Sequence, residues 1–306
     1  MSAITPDRAK ALRARVGRVG VWLGALAQLP AAEERAALVR VEALGYGAVW
    51  FGEAAANREA LSHAAMLLSA SERVAVATGI ANIWARDAAA AINGANTLNE
   101  AYDERFVLGL GVSHAPIVTS RGHDYAKPLS AMRAYLEAID AHSYAAPPPA
   151  HPSPVVLAAL RPKMLELARE RTAGAHPYFV PPAHTSRARE ALGPVPLLAP
   201  EQVVVLERDP TRAREVARHH MALYLRLPNY VNNLLTLGFA DSDIADGGSD
   251  RLVDAIVAWG DEEAIVGRVR EHLEAGADHV AIQPYAESPA GSLEALERLA
   301  PGLLAL

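Results

Sequence analysis

Eight short β-rich runs recur along the chain, each followed by a stretch whose apolar residues return at helical spacing, and this alternation limits the fold more than any other feature. The runs are "VGVWLG" (19–24), "AVWFGE" (48–53), "RVAVATGIAN" (73–82), "RFVLGLG" (105–111), "VVLAAL" (155–160), "AHPYFV" (175–180), "QVVVLE" (202–207) and "ADHVAIQP" (277–284). Repeated βα units build a parallel sheet covered by helices, and eight of them match a (β/α)8 TIM barrel. The helix starting near Ala31 illustrates the pattern. Ala37, Leu38, Val41 and Leu44 recur at helical spacing, and "GYG" (45–47) ends the helix because glycine takes the left-handed conformation that other residues avoid.

At 306 residues the chain exceeds the roughly 250 typical of such a barrel. The surplus lies between the seventh and eighth strands, at about 210–260, where "YLRLPNYVNNLLTLGFADSDIADGGSDRLVDAIVAW" reads as helices broken by turns. The expected architecture is a single α/β domain over 1–306, with this helical insertion hanging over the barrel mouth. The proline-rich "YAAPPPAHPSP" (144–154) reads as a stiff connection within it, because a strand resumes at once. A long loop is expected at 112–128, and loops beyond about 12 residues are often functional. The rival fold, a doubly wound open sheet, calls for a glycine-rich dinucleotide fingerprint after the first strand, which "GVWLGALAQLP" lacks.

Composition narrows the function. A net charge of −6 and the lack of any local lysine or arginine block argue against a nucleic-acid partner. The absence of cysteine excludes disulfides, thiolate catalysis and cysteine-ligated metal, and fits a reducing compartment. The opening "MSAITPDRAKALRARVGRVG" carries charges where a secretory signal has its apolar core, and no apolar run reaches the roughly 18 residues of a membrane span. A cytoplasmic enzyme with a small-molecule substrate and no membrane partner is the expectation.

In such barrels the active site lies at the carboxyl ends of the strands. Those ends offer Trp22, Gly24, Glu53, Gly79, Ile80, Asn82, Trp84, Ser113, His114, Arg161, Tyr178, Glu207 and Gln283. The 11 histidines show no metal-ligand spacing, so no metal site is expected. Ser113 and His114 are adjacent and no G-x-S-x-G elbow exists, which argues against a Ser-His-Asp hydrolase. A flat conjugated cofactor suits the pattern better: Gly52, Gly79 and Gly111 leave room, and Trp22, Trp84 and Tyr178 line an apolar site with a few polar groups. Taken alone, each tryptophan reads first as core or rim packing, because aromatics carry large buried area.

The runs "VWFGE", "TGIANIWARDAAAAI", "RFVLGLGVSH", "LAALRPKMLELA" and "AHPYFVPPAHTSRARE" follow the order and spacing of the bacterial luciferase-like superfamily, and more narrowly resemble its coenzyme F420-dependent oxidoreductases. The resemblance covers about 17–300 and is most specific over 78–114. It implies a deazaflavin held at the strand ends, with Glu53 near its ring and a non-proline cis peptide at Gly79-Ile80 behind it. It further implies that Asn82 and Ser113 lie at the ring and that Ala159, Leu160, Arg161 and Lys163 hold the phosphate tail at a helix start. "HTSRARE" offers another helix start with Thr185 or Ser186 as N-cap, and His184 is read there as a surface residue.

Two positions depart from the sugar-phosphate-oxidising relatives: His114 stands where they carry a catalytic glutamate and Ala54 where they carry a catalytic histidine. Sugar-phosphate dehydrogenation is therefore not expected, and His114 becomes the candidate for proton transfer, a task its ordinary pKa of about 6.5 suits. Trp22, Trp84, Tyr178, Asn229 and Tyr230 are the expected substrate-pocket residues. The resemblance implies a hydride-transferring, F420-dependent homodimer. An FMN-dependent monooxygenase and a non-catalytic ligand-binding barrel are the alternatives.

Overall fold

The computed structural model describes residues 3–306; Met1 and Ser2, which open the charged N-terminal segment, lie outside the described residues. Its strands are β1 (Val19–Trp22), β2 (Ala48–Phe51), β3 (Ala75–Thr78), β4 (Ala81–Asn82), β5 (Phe106–Gly111), β6 (Val155–Leu157), β7 (Gly174–Ala175), β8 (Leu197–Leu198), β9 (Glu201–Val205), β10 (Ala258–Trp259) and β11 (Val280–Pro284). All pairings among them are parallel, in the order β10-β9-β11-β1-β2-β3-β5-β6-β7-β8, with β4 beside β5. One end of this curled sheet, β8, continues through the chain itself into β9, next to the other end strand β10. β8 pairs with β7 and β9 with β11, and only Ala199 and Pro200 separate β8 from β9. The result is the expected TIM-barrel-like fold.

Alternation divides the strand side chains between two cores. Ala48, Trp50, Ala75, Ala77, Val107, Val156, Leu197, Ala199 and Ala281 fill the barrel interior, closed at its amino end by Leu12 and Val16 of the helix Pro6–Val16. The other face, with Val49, Val76, Leu108, Leu110, Ile282 and the helices' apolar stripes, forms the outer core. The surplus residues form the helices Pro210–Tyr224, Pro228–Thr236, Asp241–Ile244 and Asp250–Ile256, before β10 joins the free side of β9. Their apolar faces bury Tyr230, Leu234, Leu252 and Ile256 against Phe179, Val203 and Val205 at the carboxyl end of the barrel.

The structure corrects three local expectations. The sixth strand is not 175–180: pairing covers only Gly174 and Ala175, after which Pro177 lacks an amide donor and Phe179 takes a positive φ of 61°. The seventh strand begins earlier than 202, as β8 and β9, because Pro200 breaks a single long strand into two. The loop 112–128 is not structureless. The short helix Ala115–Ser120 starts directly after His114, with a proline in its first turn that needs no amide partner.

Candidate active site at the barrel mouth

The peptide bond between Gly79 and Ile80 is cis, as the resemblance implies, and it separates β3 from β4. The Glu53 backbone N–H donates to the Ile80 carbonyl at 3.1 Å, and the Asn82 N–H donates to Glu53 Oε2 at 2.8 Å. Arg86 grips the same carboxylate, through Nη1 to Oε2 at 3.0 Å and through Nη2 to Oε1. Both of Glu53's oxygens are thus engaged by the protein. Asn82 accepts the Trp84 N–H on Oδ1 at 3.0 Å, while its buried Nδ2 has no partner among the described residues. Trp84 donates its indole N–H to the Val112 carbonyl at 3.1 Å and sits 5.6 Å from the His123 ring.

The strand-end glycines do not clear space for a ring, which corrects the sequence expectation. A Cβ on Gly111 would strike Ile80, one on Gly79 would lie 2.7 Å from His176 Nε2 and 2.9 Å from Trp22 Nε1, and one on Gly52 would approach Trp22 at 3.1 Å. Protein side chains already fill those positions. Gly111→Ala is accordingly expected to displace Ile80 and to cost about 1–3 kcal/mol by overpacking, read as a lowered midpoint in urea unfolding.

His114 lies between the β5 end and the insertion. Its Nδ1 is 3.2 Å from Asn229 Oδ1, and its ring packs 5.5 Å from Tyr230. An amide oxygen only accepts, so His114 donates from Nδ1 and keeps its lone pair on Nε2. Burial lowers its pKa below the usual 6.5, outweighing the opposing hydrogen bond that His114 donates to Asn229, and the ring is neutral at neutral pH. Ser113 adopts a positive φ of 58°, and its carbonyl accepts the Tyr125 hydroxyl at 3.2 Å.

Across the mouth, Tyr178 donates to Gln283 Oε1 at 2.8 Å and accepts from the Tyr224 hydroxyl at 2.8 Å. Its ring is 5.5 Å from Trp22 and 6.4 Å from Tyr230. Glu201, 1% exposed, is buried near these tyrosines; its Oε2 accepts the Phe179 N–H at 3.3 Å and its Oε1 has no partner among the described residues. Burial pushes its pKa up to about 8.

The fifth barrel strand, β6, leads through the buried Ala159 and the half-buried Leu160 to the helix Pro162–Arg171. Arg161 is its exposed N-cap residue, makes no side-chain cap bond, and is followed by Pro162 and the exposed Lys163. Backbone donors at such a helix start, with two cations and no acidic residue in the first turn, suit an anionic group. His184 is not a surface residue: it is 2% exposed and its Nε2 donates to the Leu160 carbonyl at 2.7 Å. Nor are Thr185 and Ser186 caps, since the helix already begins at Pro182; Thr185 instead bonds His272 Nδ1 at 2.8 Å.

A family model for luciferase-like monooxygenases matches residues 16–279, most of the chain. The chain belongs to the luciferase-like monooxygenase family. The structure of this family member is similar to that of an F420-dependent secondary alcohol dehydrogenase in complex with an F420-acetone adduct, with TM-score 0.75 and 15% identity over 94% of this chain and 98% of the other. It is also similar to a coenzyme F420-dependent tetrahydromethanopterin reductase from Methanopyrus kandleri (TM-score 0.73, 14% identity, 95% and 99% covered). A third is the FMN-bound oxygenating constituent of 3,6-diketocamphane monooxygenase from Pseudomonas putida (TM-score 0.71, 14% identity, 94% and 98% covered). No curated protein sequence matches the chain.

In this luciferase-like barrel the structure brings together two groups of the expected residues. Glu53, Gly79, Ile80 and Asn82 form one, and His114, Asn229 and Tyr230 form the other. Arg86, His176, Glu201 and Tyr224 were not singled out from sequence. The only signal for Glu201 was alternation, which puts it on the inward face of its strand with Val203 and Val205. Among the described residues no group of three or more potential ligands is placed to hold a metal, and no helix is long and apolar enough to cross a membrane.

Proposed function

We propose that the protein is a coenzyme F420-dependent oxidoreductase that moves a hydride between the deazaflavin and a small, partly apolar organic substrate at its hydroxyl or carbonyl carbon. The observation carrying this reading is the neutral His114, fixed by Asn229 as the Nδ1–H tautomer with its Nε2 lone pair open, on the same strand-end face as the unpartnered Asn82 amide. The F420-dependent alcohol dehydrogenase and reductase of like fold support the choice of cofactor.

The residues present fit such a group. Asn82 Nδ2 is a buried donor without a partner among the described residues, as a heterocycle's carbonyl or ring nitrogen requires. Ala159 to Lys163 would hold the anionic tail through the helix start and the charges of Arg161 and Lys163. When bound, the deazaflavin supplies the hydride-accepting or hydride-donating centre. His114 handles the proton: Nε2 accepts it from a substrate hydroxyl during oxidation and returns it during reduction. Trp22, Tyr178 and Tyr230 exclude water from that exchange, which suits an apolar substrate.

Equilibrium titration with F420 and with FMN, followed by fluorescence, tests the reading. Tight F420 binding with weak or absent FMN binding is expected. The reverse result would replace it with an FMN-dependent monooxygenase, the activity of the similar diketocamphane enzyme.

A further inference from the structure

We infer that Arg86 is the positioning residue that fixes the Ile80–Asn82 segment against the cofactor, acting through Glu53. The inference rests on the proposed function, because it takes that segment as the surface the cofactor meets.

The geometry is a relay of buried charges ending on the backbone. The Glu53 and Arg86 side chains are 3% and 9% exposed, and the guanidinium fork engages both carboxylate oxygens. Nη2 of Arg86 also reaches Glu59 Oε1 at 2.7 Å, and Glu59 in turn caps the helix Ala60–Leu68 by accepting the Leu61 and Ser62 amides. Arg86 is itself anchored, since the Tyr135 hydroxyl bonds its carbonyl at 3.1 Å and that of Asp87 at 3.0 Å. Glu53 then holds the segment at two points, with its N–H on the Ile80 carbonyl and its Oε2 on the Asn82 N–H.

Without Arg86, Glu53 would be a buried carboxylate facing only backbone amides, Asn82 N–H and Ala60 N–H. An uncompensated buried charge takes up a proton or draws in water, and either change loosens its grip on the Asn82 amide. The Asn82 side chain, whose Nδ2 has no partner among the described residues, would then lose its fixed aim. Lysine cannot substitute fully, because a single ammonium lacks the planar fork that meets two oxygens at once.

The test compares full-length wild type with Arg86→Gln, Arg86→Lys and Arg105→Gln in F420 and FMN titrations, with Tm measured for each. Arg105 is a buried arginine that bonds the Leu68, Ser71 and Val74 carbonyls just before β5, at the amino end of the barrel, and so controls for general destabilisation. Arg86→Gln is expected to raise the Kd of whichever cofactor binds by about 10- to 100-fold and to shift its bound absorption band. Arg86→Lys falls between it and wild type, and Arg105→Gln lowers Tm with Kd and band unchanged. A folded Arg86→Gln with wild-type Kd and band overturns the inference, as does an equal loss of affinity in Arg105→Gln. If Arg86→Gln does not fold, wild-type Kd and band in Arg86→Lys overturn it. Wild type that binds neither cofactor refutes the functional reading and this inference with it, an outcome distinct from failure of the variants alone.

Discussion

Replacing His114 by alanine is expected to lower turnover about 10²- to 10⁴-fold, with cofactor affinity nearly unchanged. The loss should be in kcat, because His114 contacts Asn229 and Tyr230, whereas the residues assigned to the cofactor lie on the Glu53–Asn82 segment and the helix start at Arg161. Burial lowers the His114 pKa below 6.5, so the basic form persists into mild acid. Turnover in the oxidative direction should therefore hold at neutral pH and fall only below 6.5, as Nε2 becomes protonated. Asn229→Asp places a negative charge beside Nδ1, stabilises the imidazolium, and should move this acid limb to higher pH. Turnover in His114→Ala equal to wild type across the pH range would remove His114 from the chemistry.

Acid should destabilise the protein steeply, because four histidines are buried in neutral form. His176, His220 and His279 are lowered to about 4 and His272 to about 3, in each case chiefly by burial. Their hydrogen bonds agree with neutral rings. His279 donates from Nδ1 to the Gly17 carbonyl at 2.8 Å and accepts the Trp50 indole N–H on Nε2 at 3.0 Å. His272 donates from Nε2 to Gln202 Oε1 at 2.9 Å and accepts the Thr185 hydroxyl on Nδ1.

The unfolded chain takes up these protons near pH 6.5 while the folded chain refuses them until far lower. The stability is therefore fully present above 6.5 and is lost as pH falls toward 4. The combined effect by pH 4.5 is on the order of 10 kcal/mol, comparable to the roughly 5–15 kcal/mol that holds a typical domain together. Glu201 acts in the opposite sense. Its folded pKa, raised to about 8, means that its contribution is present below 4.5 and lost as pH rises to 8. Urea unfolding between pH 7 and pH 4.5 should show the midpoint falling, and His279→Asn should flatten that fall by about one proton while lowering stability at pH 7. An unchanged slope in the variant would contradict the assignment.

How far the site could be read from sequence depended on how local its causes were. The strand-end positions of Glu53, Asn82 and His114 followed from the end of each apolar run and the turn chemistry beside it. What Glu53 does there did not, because its partner Arg86 lies 33 positions away, beyond the reach of any local pattern. The glycines were misread for a related reason: sequence marks where a Cβ is missing but not what occupies the space, which Ile80, Trp22 and His176 fill. His184 looked exposed because it sits among prolines, arginines and small polar residues, yet it is buried on the Leu160 carbonyl.

By itself the sequence determined the repeating βα order, the place of the helical insertion and the end of the barrel on which the polar residues gather. These follow from hydrophobic periodicity and from the conformations of glycine and proline, which act within a few residues. Only the tertiary structure decided that β8 and β9 close the barrel across Pro200, that Asn229 sets the tautomer of His114, and that Arg86 and Glu53 hold Asn82. Each of these depends on a hydrogen bond or charge pair between segments far apart in the chain, and such pairs exist only once the sheet has curled and burial has removed water as the competing partner.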